Sequence, residues 1–121
     1  MPRRSGDKNA FWDNASVGVG GTSTAVELPR GVDNLAIYIT VDAATTVSLE
    51  VAHSGDITSE GLLPDGNAGV WFPLYYTNIL VQNVFAGAGS VAILVPDFAA
   101  GWVRLKSSAA AVITAGWEAG V

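Results

Sequence analysis

The sequence has no cysteine, one methionine and one histidine. Without thiols there is no disulfide framework, no thiolate zinc site and no cysteine nucleophile. A single imidazole, His53, excludes any site built on two. Charge is sparse as well: 14% of residues are Asp, Glu, Lys or Arg, and the net charge is −5. An acidic balance makes duplex nucleic acid a poor partner. The first residues, Met-Pro-Arg-Arg-Ser-Gly-Asp-Lys-Asn, are basic but lead into no apolar run, so they do not read as a secretory leader. Residues 66–96 carry no charge at all. A membrane helix needs about 20 mostly apolar residues. Here Pro73, Asn78, Gln82, Asn83, Gly87 and Gly89 interrupt the run, so no membrane partner is expected and the chain reads as soluble, alone or within an assembly.

What is present is apolar and short in period. Half of the 121 residues are hydrophobic, enough for one core and one domain. Residues 1–10, with Arg3, Arg4 and Lys8, read as a flexible basic arm, and residues 11–121 as the single domain. Helical periodicity is absent. Runs rich in Val, Ile, Thr and aromatics alternate with period 2 between Gly, Asp, Asn and Pro. Asn34–Val41 places Leu35, Ile37, Ile39 and Val41 on one face, and Thr46–His53 repeats the pattern with Val47, Leu49 and Val51. The link Asp42-Ala43-Ala44-Thr45 has hairpin length, so these two strands are expected to pair.

Further strands are predicted at Ser23–Leu28, Val70–Tyr75, Thr77–Phe85, Ser90–Val95, Gly101–Ser107 and Ala110–Ala119, with a weak one at Asn14–Val19. Pro73 points to an edge or a bulge. Seven or eight short strands without an intervening helix imply an all-β fold. The expectation is an antiparallel two-sheet β-sandwich of jelly-roll type.

Catalytic chemistry is hard to assemble. His53 has no nucleophile-elbow serine to serve. The strand acids Glu50 and Glu118 alternate onto the solvent face, and most other acids sit in turns. The Gly-rich stretch Gly18–Ser23 lacks the lysine and the helix of a phosphate loop, so it reads as a flexible turn. Asp56, Glu60 and Asp65 in the loop Ser54–Gly69 are weak calcium candidates beside His53, in a spacing that matches no EF-hand. Neither an enzymatic function nor a cofactor is expected.

The aromatics Trp12, Trp71, Phe72, Tyr75, Tyr76, Trp102 and Trp117 are candidates for core packing, a subunit contact or sugar stacking. Trp102 alternates with Arg104 and Lys106 and is expected to face outward, where it suits a protein contact. Charges are cheap on a free surface and expensive in a buried interface. A charge-free quarter of the chain therefore implies that Val70–Val95 contributes to an inter-subunit surface.

Three runs carry a likeness to known proteins. They are Thr45-Thr46-Val47-Ser48-Leu49-Glu50-Val51, Trp71-Phe72-Pro73-Leu74-Tyr75, and the stretch from Gly101-Trp102-Val103-Arg104 to Ile113-Thr114-Ala115. Together, over about residues 34–119, they resemble small β-sandwich virion proteins of tailed bacteriophages and archaeal tailed viruses: head-decoration, vertex and tail-associated proteins. The resemblance implies a non-enzymatic capsid decoration or vertex protein, located in the virion. It would be a homo-oligomer, often a trimer, bound to the major capsid protein or other virion proteins. The basic arm would anchor on an acidic shell. Arg3, Arg4, Trp12, Trp71, Tyr75, Tyr76 and Trp102 are the candidate contact residues. The alternatives are a carbohydrate-binding module, with a glycan as partner, and a tail-associated structural role.

Overall fold

A computed structural model describes residues 9–28, 34–52, 71–96 and 101–120. Among these residues the regular structure is all strand: β1 (Ala10–Val17), β2 (Val26–Glu27), β3 (Asn34–Val41), β4 (Thr45–Ala52), β5 (Phe72–Pro73) and β6 (Tyr75–Tyr76), followed by β7 (Ile79–Leu80), β8 (Gln82–Phe85), β9 (Gly89–Val95), β10 (Trp102–Ser107) and β11 (Ala111–Gly120). One antiparallel sheet has the order β1-β11-β3-β9. The second has the order β2-β10-β4-β5, with β8 also paired to β4. The short pair β6-β7 stands apart from both. No helix among the described residues is long and apolar enough to cross a membrane.

The inward residues of the two sheets share one core. Leu35, Ile37, Ile39 and Ile113 come from the first sheet, and Val47, Leu49, Val103 and Leu105 from the second; all are essentially inaccessible to water. The arrangement is that of a β-sandwich, as alternation in the sequence implied.

The expected β3–β4 hairpin does not form. β3 lies in one sheet and β4 in the other. Both instead pair with the same returning chain: Val41 faces Ile113, and beyond the corner Val47 faces Ser107. Residues 42–46 and 108–112 span this corner side by side, so the register runs on without a slip. The neighbouring paths bend at the same place. Val41 faces Gly89 and Thr45 faces Phe85, while Val17 faces Ala111 and Thr22 bridges Lys106. The sandwich is thus one antiparallel sheet folded double along a common line. The alternation explains why. Inward positions stay odd-numbered from Leu35 through Leu49, as in a single bent strand, and Ala43 packs against the core midway.

Side chains stitch the fold line. Asp42 Oδ1 accepts from Val112 N at 2.8 Å, and Thr46 N donates to Ser108 Oγ at 3.0 Å. Inside, the hydroxyls of Thr45 and Ser107 meet at 2.6 Å, and Ser107 Oγ also donates to Ala109 O at 2.8 Å. These two are the buried polar side chains among the described residues, and they satisfy each other as a buried site requires. The stretch Gly18–Gly21 makes the remaining corner. Gly20 has φ +72°, and a Cβ on Gly21 would lie 2.8 Å from Val17 Cγ1. Both positions therefore favour glycine.

Several expected strands are shorter or divided. Ser23–Leu28 reduces to β2, and Thr77–Phe85 is split into β7 and β8. Pro73 does lie in an edge strand, β5, where its missing N–H costs no ladder bond. β1 starts earlier than the weak strand expected at Asn14–Val19 and includes Phe11 and Trp12. A register shift against β11 between Ala10 and Trp12 lets both of these consecutive residues be buried.

Replacing Ile37 with Ala should lower unfolding free energy in urea by about 2–5 kcal/mol through the cavity it leaves. Thr45→Val, which leaves Ala109 N without the hydroxyl it donates to at 3.1 Å and takes one partner from Ser107 Oγ, should cost about 1–3 kcal/mol. The exposed change Val84→Ala should stay within about 0.5 kcal/mol.

Candidate functional site

The sandwich has two unlike margins. At one, β1 closes the first sheet. At the other, β9 ends the first sheet, while β5 and β8 share the free side of β4 in the second. Between β5 and β8 the chain leaves the sheet as a small hairpin. Leu49 N donates to Val81 O and Leu74 N to Leu49 O, both at 3.1 Å, while Val81 N closes the base on Leu74 O at 2.9 Å. Leu74 and Val81 pack on the core. The six residues between them project outward, with Tyr75 facing Leu80 and Tyr76 facing Ile79.

The hairpin tip is Thr77-Asn78, with φ of 49° and 66°. Two positive φ values in a two-residue loop make the turn whose twist matches paired strands. Asn accepts this conformation readily, whereas a β-branched Thr does so at a cost of about 1–3 kcal/mol.

This margin is apolar. Of the eight large hydrophobic side chains exposed among the described residues, six belong to the charge-free segment: Phe72, Tyr75, Tyr76, Ile79, Val84 and Leu94. Ile79 is 70% and Leu94 74% exposed, far beyond what alternation at a half-covered edge requires. A cleft of about 230 Å³ separates the hairpin from β9, with Tyr76, Ile79, Ile93 and Leu94 among its walls. A second cavity of about 520 Å³ shares Leu94 and Val95 and continues along Ala36, Pro96 and Ala119. Monomeric proteins seldom present contiguous apolar surface of this kind without using it.

The outer face of the second sheet is polar by contrast. Arg104 Nε donates to Glu50 Oε1 at 2.8 Å, with both side chains largely covered. The guanidinium carbon lies 4.4 Å from the centre of the Trp71 ring. Cation–π attraction and a shielded ion pair together fix Trp71 to this face. Beside them a groove of about 330 Å³ runs past Thr46, Ser48, Gln82 and Lys106. Glu50, expected in solvent, is therefore half-buried and engaged. Glu118 is exposed, as expected, and accepts from Tyr38 Oη at 2.8 Å.

Two expected contact residues are corrected. Trp102 does share a face with Arg104 and Lys106, but it is 4% exposed. Cover on that face decreases along β10 from Trp102 through Arg104 to Lys106, so alternation gave the face and not the exposure. Trp102 is therefore removed as an outward platform for a protein or a sugar. Trp12, at 7% exposure, belongs to the core through the β1 register shift. Trp71 is half-buried, while Tyr75 and Tyr76 are exposed on the projecting hairpin. Arg3, Arg4 and Lys8 lie outside the described residues, as do His53, Asp56, Glu60 and Asp65. Among the described residues no three His, Cys, Asp or Glu side chains come together as a metal site.

Ile79, Val84 and Leu94 were not singled out from the sequence. For Leu94 the signal was there: it shares parity with Ser90 and Ala92, opposite Val91, Ile93 and Val95. No family model and no curated protein matches this chain.

Trp71→Ala and Arg104→Ala should be coupled in a double-mutant cycle by about 0.5–1 kcal/mol of unfolding free energy. The same cycle between Trp71 and Lys106 should give about zero.

Proposed function

We propose that the chain is a non-enzymatic structural protein of a viral particle, a capsid decoration or vertex subunit that oligomerises and binds the shell. The observation that carries this reading is the apolar margin, to which one charge-free segment contributes five of the eight large exposed hydrophobics among the described residues. An enzyme concentrates polar, perturbed groups in a cleft, whereas this margin offers area. Burial at about 25 cal/mol per Å² is the driving force, and only part of it survives as affinity after ordering and lost motion. Phe72, Tyr75, Tyr76, Ile79 and Leu94 are the contact residues, with Trp71 as the anchor that holds the start of the segment. Arg3 and Arg4 tether the subunit to an acidic shell. We read the sandwich as of jelly-roll type, on the strength of the neighbouring chain paths that each bend from one sheet into the other.

A carbohydrate-binding module is the second reading. It draws on the exposed rings of Phe72 and Tyr75, since stacking on a sugar needs open aromatic faces.

Light scattering on a sizing column decides between them. The structural reading expects two or more copies per particle in the micromolar range, and Phe72→Ser combined with Ile79→Ser should yield folded monomers. A strict monomer at every concentration, together with glycan binding lost in Phe72→Ala or Tyr75→Ala, would replace it with the module.

A further inference from the structure

The two edges of the first sheet are managed differently. β1 carries the exposed Asp13, two register shifts and an Asn14 at φ 48°. Charge, bulging and local twist all discourage a second chain from adding there. β9 has none of these devices. It runs Gly89-Ser90-Val91-Ala92-Ile93-Leu94-Val95 without charge or proline, and pairs with β3 in unbroken register from Val41↔Gly89 to Leu35↔Val95. Among the described residues β3 is its one strand partner. Its core-facing Val91 and Ile93 stay half-buried, although their neighbours Ile37 and Ile39 on β3 are sealed. Among the described residues no strand seals the core along this edge.

We propose that β9 pairs antiparallel with β9 of a second copy about a two-fold axis at Ala92, joining the first sheets of the two copies into one. This deepens the oligomeric reading above and rests on it. The occupant is a second copy because the edge complements itself. The chain as a whole is acidic and repels its own kind, yet this edge brings no like charges together. With the axis at Ala92, Leu94 of one copy lies opposite Ser90 of the other, and Val95 opposite Gly89. The bulky end, flanked by the hairpin cleft, thus receives the small end, which continues into Ala86-Gly87-Ala88. Ala92 meets its own equivalent, a contact with room for both methyl groups. Such an isologous contact gives even-numbered assemblies, a dimer at minimum.

The absence of native cysteine makes the test clean. Opposed residues in an antiparallel pair have Cβ atoms about 4.5–5.5 Å apart, within reach of a disulfide after slight adjustment. Ala92→Cys alone should oxidise to a covalent dimer under mild oxidant. Ser90→Cys and Leu94→Cys should each stay monomeric on denaturing gels and cross-link when mixed. Ala92→Lys, which opposes two ammonium groups at the axis, should raise the dimer dissociation constant at least about tenfold, with an unchanged thermal midpoint at concentrations where both proteins are monomeric. Failure of Ala92→Cys to cross-link, or self-linking of Ser90→Cys or Leu94→Cys at equal rates, would overturn the β9 contact. If the wild type is then still oligomeric, the structural reading stands and only this interface falls. If the wild type is monomeric, both fall.

Discussion

The molecule depends on a fold line, the place where four neighbouring chain paths bend together from one sheet into the other. A sheet folded double must turn its backbone without leaving donors or acceptors stranded in the interior. Here the cost is met by the Thr45–Ser107 hydroxyl pair inside and by Asp42, Thr46 and Ser108 outside. Because the bends coincide, each strand keeps its partner across the corner, and the register set in one sheet dictates the register in the other. The apolar margin inherits its position from that line, including the projecting hairpin, which hangs from Leu49 of β4.

The sequence announced the strands better than their connections. Period-2 alternation located Asn34–Val41 as β3 at its actual bounds, and Pro73 correctly marked an edge. It failed at Asp42–Thr45, where a polar link of hairpin length reads the same whether the chain reverses within a sheet or crosses between two. The unbroken odd-numbered parity through Leu49 was the available signal, and it concerns phase, not composition. Trp102 failed for another reason. Alternation tells which face a residue takes, but cover on that face comes from distant chain such as the Trp71 segment, which no local window contains. Trp12 was hidden by a register irregularity that puts neighbours Phe11 and Trp12 in the core together. The scarcity of charge in residues 66–96 was legible as a surface property, whereas its division among edge, hairpin and cleft needed the topology.

The two margins of the first sheet differ in charge and regularity. One edge is roughened by Asp13, Asn14 and register shifts. The opposite one is smooth, neutral and bordered by Tyr76, Ile79 and Leu94. Net negative charge keeps the remainder of the surface repulsive toward like molecules. On the oligomeric reading proposed above, contact is thereby channelled to one direction.

The position of β11 between β1 and β3 has a consequence for synthesis. On the ribosome, β1 and β3 are both made long before the strand that joins them, so the first sheet waits as separate pieces until residues 111–120 emerge. Pairings such as Trp12 with Ala115 span nearly the whole chain, and closing such long loops slows folding. During that delay β3 and β9 can form a narrow ribbon of their own. Its smooth side would already be on offer while β3 still lacked β11, leaving the nascent ribbon with two unpaired flanks where β11 covers one of them in the finished sheet.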